Sequence, residues 1–331
     1  MIRQKPTIDV IIVNWNTGSQ IQECLLSLSH ATQDGYLLGR VIIVDNASTD
    51  NSASGLCCPG LSLTLIQNST NRGFAVACNQ GAVRSTADYL LFLNPDTILL
   101  PDTVTKSVEC MARLESSKVG ILGVQLLEKG GEVSRTTSRF PTPKTFISSM
   151  LGLNQIFPRL FPGQFCLEWD HLQSRPVEHV MGAYFFMRRD VFKEANGFDE
   201  RFFVYSEDVD LGLRVRKLGW STYYLATAQC YHSGGGSSKH VKALRLFYSL
   251  RSRIFYGFKN YGMGGSVTLL LATLFIEPFS RIGRAILQGS ISQVKEVVIA
   301  YLLLWKALPG ILTSQHLRKT ETLKLDPEVS H

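Results

Sequence analysis

The sequence predicts an α/β fold: a mostly parallel sheet with helices on both faces, followed by a helical, basic C-terminal segment. Three observations carry this. Short β-branched runs alternate with stretches of helical spacing over the first half of the chain. Polar clusters stand directly after successive apolar runs. From residue 239 the pattern changes to amphipathic and apolar helices. Strands that alternate with helices pair in parallel and are covered on both faces.

Taken in order, residues 8–13 form a β-branched run of the kind buried on both faces. Residues 18–28 put Ile21, Cys24, Leu25 and Leu28 on one helical face. Strands are expected at 40–44 and 61–66, a helix at 73–84, a strand at 89–93, a helix at 100–114 and a strand at 119–127. The stretch 134–176 loses periodicity, carries Pro141, Pro143, Pro158, Pro162 and Pro176, and reads as a long loop. Residues 177–187 read as a strand interrupted at Gly182-Ala183, and 190–195 as a short helix. Over 239–258, Leu244, Phe247, Tyr248, Arg251, Ile254, Phe255 and Phe258 recur at helical spacing. The apolar runs 267–276, broken by Glu277-Pro278, and 297–304 fall short of the ~20 residues that span a bilayer.

Of the 331 residues 45% are hydrophobic and 18% charged, which suffices for a sizeable core and excludes a disordered chain. The net charge of +7 is uneven: residues 239–259 hold six Lys or Arg and no Asp or Glu. Such a surface suits nucleic acid, anionic lipid or a phosphorylated substrate alike. Cys24, Cys57, Cys58, Cys78, Cys110, Cys166 and Cys230 are scattered and lack CxxC spacing, so a reducing compartment is expected and a zinc site is not. Residues 1–6 are polar and lead into a strand, unlike a signal peptide.

Polar residues cluster where the strands end: Asn14-Trp15-Asn16, Asp45-Asn46, Asn71-Arg72-Gly73 and Asn94-Pro95-Asp96. In an open α/β sheet, ligands bind outside the carboxyl ends of the strands. Asn, Asp and Gly are also ordinary turn formers. A single cluster fits either account, and clusters after several successive strands favour a site. The Asp96 carboxylate can hold a hard divalent cation that bridges phosphate oxygens, although Asn-Pro-Asp is also a good turn. Ser206-Glu207-Asp208-Val209-Asp210 opens a helix carrying Leu211, Leu213, Val215 and Leu218. Acids favour a helix N-terminus by capping and by the macrodipole. One acid would satisfy that, so Glu207 and Asp208 point to general-base work or substrate binding. His232 stands before the glycine-rich residues 233–238, as a metal ligand beside a flap or as a structural histidine before a linker.

In their order, Val13-Asn14-Trp15-Asn16, Val44-Asp45-Asn46-Ala47-Ser48-Thr49-Asp50, Asn71-Arg72-Gly73-Phe74-Ala75 and Leu93-Asn94-Pro95-Asp96 resemble glycosyltransferase family 2. Gly197-Phe198-Asp199-Glu200-Arg201-Phe202-Phe203, Glu207-Asp208-Val209-Asp210 and His232 continue the match, which ends near Ser238. Within the family the pattern looks most like bacterial rhamnosyltransferases of cell-surface polysaccharide synthesis. The resemblance implies a GT-A fold with a Rossmann-like nucleotide-binding sheet, and an inverting transferase that uses Mg2+ or Mn2+. It sets Asp45 against the nucleoside, Asn14, Asn16 and Asn46 in the same pocket, and Asn71, Arg72 and Gly73 in a loop beside it. Asp96 matches the second carboxylate of an Asp-x-Asp metal motif whose first position is here Asn94, with one negative charge fewer. His232 matches a metal-coordinating histidine of some relatives. Asp208 matches the catalytic base, with Glu207 and Asp210 holding the acceptor or orienting Asp208. The implied division is a catalytic domain over 1–238 and a basic helical segment over 239–331.

The implied donor is a nucleotide sugar, dTDP-rhamnose first and a UDP-hexose second. The implied acceptor is a hydroxyl on a lipid-linked or polysaccharide glycan of O-antigen or cell-wall synthesis. Lys239, Lys242, Arg245, Arg251 and Arg253 suit anionic headgroups. A basic amphipathic helix with two short apolar runs suits the membrane interface, which puts the protein in the cytoplasm, peripheral on the inner face of a bacterial membrane. A helical cap packed on protein fits the same pattern. No nucleic-acid partner is expected, because no base-reading motif accompanies the basic helix. A dehydrogenase needs GxGxxG after the first strand, where this chain has Asn14-Trp15-Asn16-Thr17-Gly18. A non-catalytic sugar-nucleotide scaffold predicts a lost base or metal ligand, yet Asp96, Asp208 and His232 are all present.

Overall fold

The computed structural model describes residues 5–114, 117–234 and 241–317. The end of the glycine-rich stretch from Gly235 to Ser238, the boundary at 238/239 and Lys239 lie outside them. The chain forms two compact units, one of residues 1–140, 164–203 and 207–240, the other of 141–163, 204–206 and 241–331.

The first unit is built on one sheet. Strands β1 (Thr7–Asn14), β2 (Leu37–Asp45), β3 (Ser62–Gln67) and β4 (Tyr89–Leu93) are mutually parallel in the order β3-β2-β1-β4. Beyond β4 the sheet is mixed. With β5 (Thr97–Leu99), β6 (Val119–Leu127), β7 (Val133–Ser134), β8 (Arg175–Val177), β9 (Tyr184–Arg188) and β10 (Ser221–His232), the order continues β4-β9-β6-β10-β5. Strand β9 runs antiparallel to both β4 and β6, β10 runs parallel to β6, and β5 closes antiparallel on the end of β10.

Both faces are covered, as the unbroken β-branched runs require. Ile8, Val10 and Ile12 of β1 join the core under helices α1 (Gln20–Ser29) and α3 (Thr103–Arg113), while Ile11 and Val13 join the opposite core. That second core lies under α2 (Phe74–Ala82), α6 (Arg189–Glu194) and α7 (Glu207–Lys217). The structure differs from the sequence expectation at two strands. Residues 178–183 are not strand, and β9 begins only at Tyr184. Strand β10 escaped the hydrophobic pattern because its register shifts between Leu225 and Gln229, which breaks the alternation of faces.

The second unit is helical: α4 (Pro143–Met150), α5 (Leu153–Ile156), α8 (Lys242–Asn260), α9 (Met263–Leu271), α10 (Glu277–Leu287) and α11 (Ile291–Leu317). Helix α4 stands where a loop was expected. Thr142 caps it by accepting the Thr145 amide at 3.2 Å, and Pro143 fills the first turn, where a missing N–H is harmless. Nor does Glu277-Pro278 break the next helix. A π-helical turn, Ala272–Ile276, absorbs the junction and places Pro278 in the first turn of α10. The run Met263–Leu287 is therefore one helix of 25 residues, and Ile291–Thr313 is a 23-residue apolar stretch of α11. Both are long and apolar enough to cross a membrane, contrary to the short runs expected. Only 33% and 28% of their apolar windows are buried, unlike core helices.

Gly81 lets α2 lie directly on β1, since a Cβ there would sit 2.6 Å from Ile11 Cγ2. Gly81→Ala is expected to destabilise the protein by about 1–3 kcal/mol through overpacking, read as a lower urea midpoint.

Candidate active site

The carboxyl ends of β1 and β2 meet in register, Asn14 beside Asp45. The Asn14 side chain is fully buried and donates to Asp45 Oδ1 at 2.8 Å, to Ser52 Oγ at 2.9 Å and to Ser48 Oγ at 3.1 Å, while the Thr17 hydroxyl donates back to Asn14 Oδ1. Asp45 also accepts the Ser48 amide at 3.1 Å and the Ser48 hydroxyl at 2.6 Å. The chain leaves both strands through left-handed residues, Asn16 at φ 52° and Ala47 at φ 62°. Strain of this kind persists where surroundings over-determine the backbone. Here the Asn16 amide donates to Ser48 Oγ at 3.0 Å and Asn16 Oδ1 accepts the Thr49 amide at 2.7 Å. Asn46 reaches across to the next loop and donates to the Gly73 carbonyl at 3.1 Å. Asn14, Asn16, Asp45, Asn46 and Gly73 thus form one network at the sheet's end. Asn71 turns its own loop, accepting the Gly73 amide at 2.9 Å, and Arg72 is exposed at the rim.

Gly73 is required where it stands. Its φ is 91°, and a Cβ would lie 2.5 Å from the Phe203 carbonyl oxygen. That carbonyl accepts the Phe74 amide at 2.6 Å. Asn79 ties the same partner segment, donating to the Phe198 carbonyl and accepting the Phe198 amide, both at 2.9 Å. The run from Gly197 to Phe203 therefore docks on α2, the helix that follows the Asn71–Gly73 loop.

Asp96 and His232 come together although 136 positions separate them in the sequence. Strand β5 pairs with the end of β10, Thr97 beside His232, so His232 Nε2 stands 3.4 Å from Asp96 Oδ1. The Asp96 carbonyl accepts the Ser233 amide at 3.1 Å. The side chains are 9% and 15% exposed, so both are mostly shielded from water. Asn94 is placed by its backbone: its amide donates to the Ala183 carbonyl at 2.9 Å, and its carbonyl accepts the Thr97 hydroxyl at 2.6 Å.

The three acids of α7 part company. Asp208 Oδ2 accepts the Gly182 amide at 3.0 Å and lies 3.5 Å from His179 Nε2, and its Oδ1 accepts the Val209 amide at 2.8 Å. Burial pushes this carboxyl up, but the charge and hydrogen bond of His179 and the two amides outweigh it and hold Asp208 below the ordinary carboxylate range. Glu207 goes the other way. Burial, then the Asp208 charge beside it, raises its carboxyl well above normal, and its Oε2 has no hydrogen-bond partner among the described residues. Asp210, two residues on, falls on a different side of the helix. It is fully buried and bonded to Arg214 Nε at 2.8 Å, while Arg214 also donates to the Ala195 carbonyl. Asp210 thereby ties α7 to the end of α6 and is not brought beside Asp208.

His179 and the Gly182 amide are the residues the sequence reading missed. Their only signal was the Gly182-Ala183 break in an apolar run, and nothing in the spacing links residue 179 to residue 208. Replacing His179 by Gln removes the charge that favours ionised Asp208. The Asp208 carboxyl, followed by carbon NMR, should then titrate at higher pH than in the parent protein.

The glycosyl transferase family 2 model matches residues 9–195. The chain is 28% identical over 253 residues to the N-acetylglucosaminyl-diphospho-decaprenol L-rhamnosyltransferase of Mycobacterium tuberculosis, covering 72% of this chain and 80% of that one. It is 27% identical over 190 residues to the rhamnosyltransferase WbbL of Escherichia coli, covering 56% of this chain and 68% of that one. Among solved structures, the mannosyltransferase PcManGT of Pyrobaculum calidifontis, in complex with GDP-Man and Mn2+, superposes with a TM-score of 0.54 at 16% identity, covering 96% of this chain and 87% of that one. That likeness is one of fold, GT-A. The family model covers more than half of the chain: the chain belongs to glycosyl transferase family 2 and is a glycosyltransferase.

Proposed function

We propose that this enzyme moves L-rhamnose, with inversion, from dTDP-rhamnose to a hydroxyl of a lipid-linked diphosphate sugar in bacterial cell-surface glycan synthesis. The observation that carries the chemistry is the placement of the Asp208 carboxylate, held by the Gly182 amide at the same β4–β9 junction from which the Asp96–His232 pair is hung. The sugar and the lipid-linked acceptor are supported by the names of the relatives from Mycobacterium tuberculosis and Escherichia coli.

Asp208 takes the proton of the acceptor hydroxyl as that oxygen attacks the anomeric carbon. The bond to the diphosphate oxygen breaks as the new bond forms, on the opposite face, so configuration inverts. A carboxylate of low basicity can serve because the hydroxyl becomes acidic only as it attacks. Burial and the adjacent Asp208 charge push the Glu207 carboxyl up, which works against a second charge beside Asp208. Two carboxyls pushed apart in this way mark an acid–base assignment. His179 and the Gly182 amide position Asp208, and the Asn14–Asp45–Asn46 network frames the nucleoside, with Asn71 and Arg72 at its rim.

Asp96 and His232 would hold Mg2+ or Mn2+. One carboxylate and one imidazole, 3.4 Å apart and mostly shielded, suit such a cation. Among the described residues no group of three or more His, Cys, Asp or Glu stands together, so Asp96 and His232 are the side chains that would hold it. The cation, when bound, supplies stabilisation of the charge on the departing nucleoside diphosphate.

The deciding experiment follows nucleoside diphosphate release from dTDP-rhamnose, UDP-glucose, UDP-galactose and UDP-N-acetylglucosamine, with a lipid-diphosphate sugar as acceptor. Metal-dependent release from dTDP-rhamnose alone is expected. Release from a UDP-sugar instead keeps the mechanism and discards rhamnose. Asp208→Asn should lower kcat by about 10²–10⁴-fold with donor affinity unchanged, and equal turnover removes Asp208 from the role.

The helical unit is proposed to hold the enzyme on the membrane through apolar contact. Phe279, Leu287, Ile291 and Leu302 are 74%, 90%, 74% and 65% exposed, a concentration of apolar surface that marks an interaction site. Of the five basic residues expected at headgroups, Arg253 is instead buried in an ion pair with Glu277, Arg251 stacks over Phe255, and Lys242 stands 3.8 Å from Glu296. Detergent, not high salt, should therefore release the protein from vesicles in a flotation assay.

A further inference from the structure

The exposed apolar side chains of the helical unit fall into phase. Along α9, the π-helical turn and α10 they are Met263, Val267, Leu271, Phe275, Phe279 and Ile286, between 38% and 74% exposed. In an unbroken α-helix each step of four residues over-rotates by about 40°, so Phe279 would stand about 160° round the axis from Met263. The π-helical turn Ala272–Ile276 takes up one extra residue and so turns the second half back by about 100°. All six side chains then share a sector of roughly 90°, with Glu277, Arg281 and Arg284 on the opposite side. On α11, Ile291, Val298, Leu302 and Trp305 are exposed and fall within about 60° of arc. The rings of Phe275 and Trp305 meet edge to face with centroids 5.7 Å apart, which joins the two stripes into one surface.

Charge around this surface argues for what covers it. Lys295 and Lys306 are exposed and flank the α11 stripe on one side. The only acids between 263 and 313 are Glu277 and Glu296. Glu277 is buried between Arg253 and Arg281, and Glu296 stands 3.8 Å from Lys242. A second copy laid on this face would bring the two lysines no carboxylate from its own stripe, whereas anionic headgroups meet them directly. Both helices are long enough to cross a bilayer, but what lies behind them opposes a crossing. Helix α8 carries Lys242, Arg245, Arg251, Arg253 and Lys259 with no acid, and packs against α9 and α11. A crossing would draw these cations, with Glu277 and Arg281, into hydrocarbon, where ionised side chains are expensive. A helix with one apolar face and one charged face lies in the interface instead. We propose that α9–α10 and α11 lie flat in the headgroup layer of an anionic bilayer, both stripes turned to the acyl boundary, and do not cross it. This orientation deepens the membrane attachment put forward above and rests on it.

The test uses the full chain with vesicles of phosphatidylcholine and phosphatidylglycerol that contain phospholipids brominated either near the headgroup or near the acyl end. The emission of Trp305 is read as the difference between the parent protein and Trp305→Phe. Trp305 lies about 21 Å along the axis from Ile291, so a crossing helix would set it well inside the hydrocarbon. Quenching should be strongest with the shallow bromines. Phe279→Glu should weaken vesicle binding by about tenfold or more. Replacing Lys295 and Lys306 together by Gln should lower the preference for anionic over neutral vesicles by roughly tenfold. Strongest quenching by the deep bromines overturns the flat orientation and leaves attachment standing. A protein that floats with vesicles but shows no quenching at either depth, or that is indifferent to Phe279→Glu, overturns this surface as the contact. A protein that does not float at all overturns the attachment itself, and a dimer in solution that Leu302→Glu dissociates would then name a second copy as the occupant.

Discussion

The structure of the site depends on one junction, the two peptide groups of Gly182 and Ala183 at the head of β9. Strand β9 is inserted antiparallel between β4 and β6, so its beginning lies against the end of β4. The Ala183 carbonyl accepts the Asn94 amide and fixes the turn that carries Asp96. The neighbouring Gly182 amide donates to Asp208. A Cβ on Gly182 would come within 3.1 Å of that same carboxylate oxygen, closer than most Cβ contacts tolerate. Two adjacent backbone groups thus set the separation between the proposed base and the proposed metal ligands. An all-parallel sheet would not do this, because the amino-terminal end of a parallel neighbour lies at the far edge.

This constraint also explains how two adjacent carboxyls are shifted in opposite directions. Both lie at the start of α7, Glu207 buried and Asp208 19% exposed. Asp208 receives two amides and an imidazole, whereas Glu207 receives no partner at Oε2 among the described residues. Hydrogen bonds to the charged form favour it, and desolvation disfavours it. The outcome at each position is decided by partners brought from distant parts of the chain, not by the local sequence, which reads Glu-Asp as a pair of equal acids.

The same distinction governs how much the sequence disclosed. The parallel half of the sheet was legible because β1 and β2 end in unbroken β-branched runs, Val10–Val13 and Val41–Val44, and β4 is apolar throughout, so that Asn14, Asp45 and Asn94 follow directly. The pairing of Asp96 with His232 could be expected only from family resemblance. Geometrically it rests on β5, three residues long, and on β10, whose face alternation is broken by a register shift. Asp210 looked like its neighbours in composition. Its burial against Arg214 follows from helix phase and from the packing of α6, which the motif does not encode.

In the helical unit the misleading signals were proline and charge. Pro278 reads as a break, but a proline in the first turn removes a donor that had no partner to lose, and the preceding π-helical turn takes up the extra residue. A helix interrupted there would have left Glu277 and Arg281 without a common face. Kept continuous, it sets them one turn apart and lets Arg253 close the group from α8. Counting basic residues assigned Arg253 to the surface. Its actual partner is Glu277, a buried carboxylate on α10 that the same count had ignored.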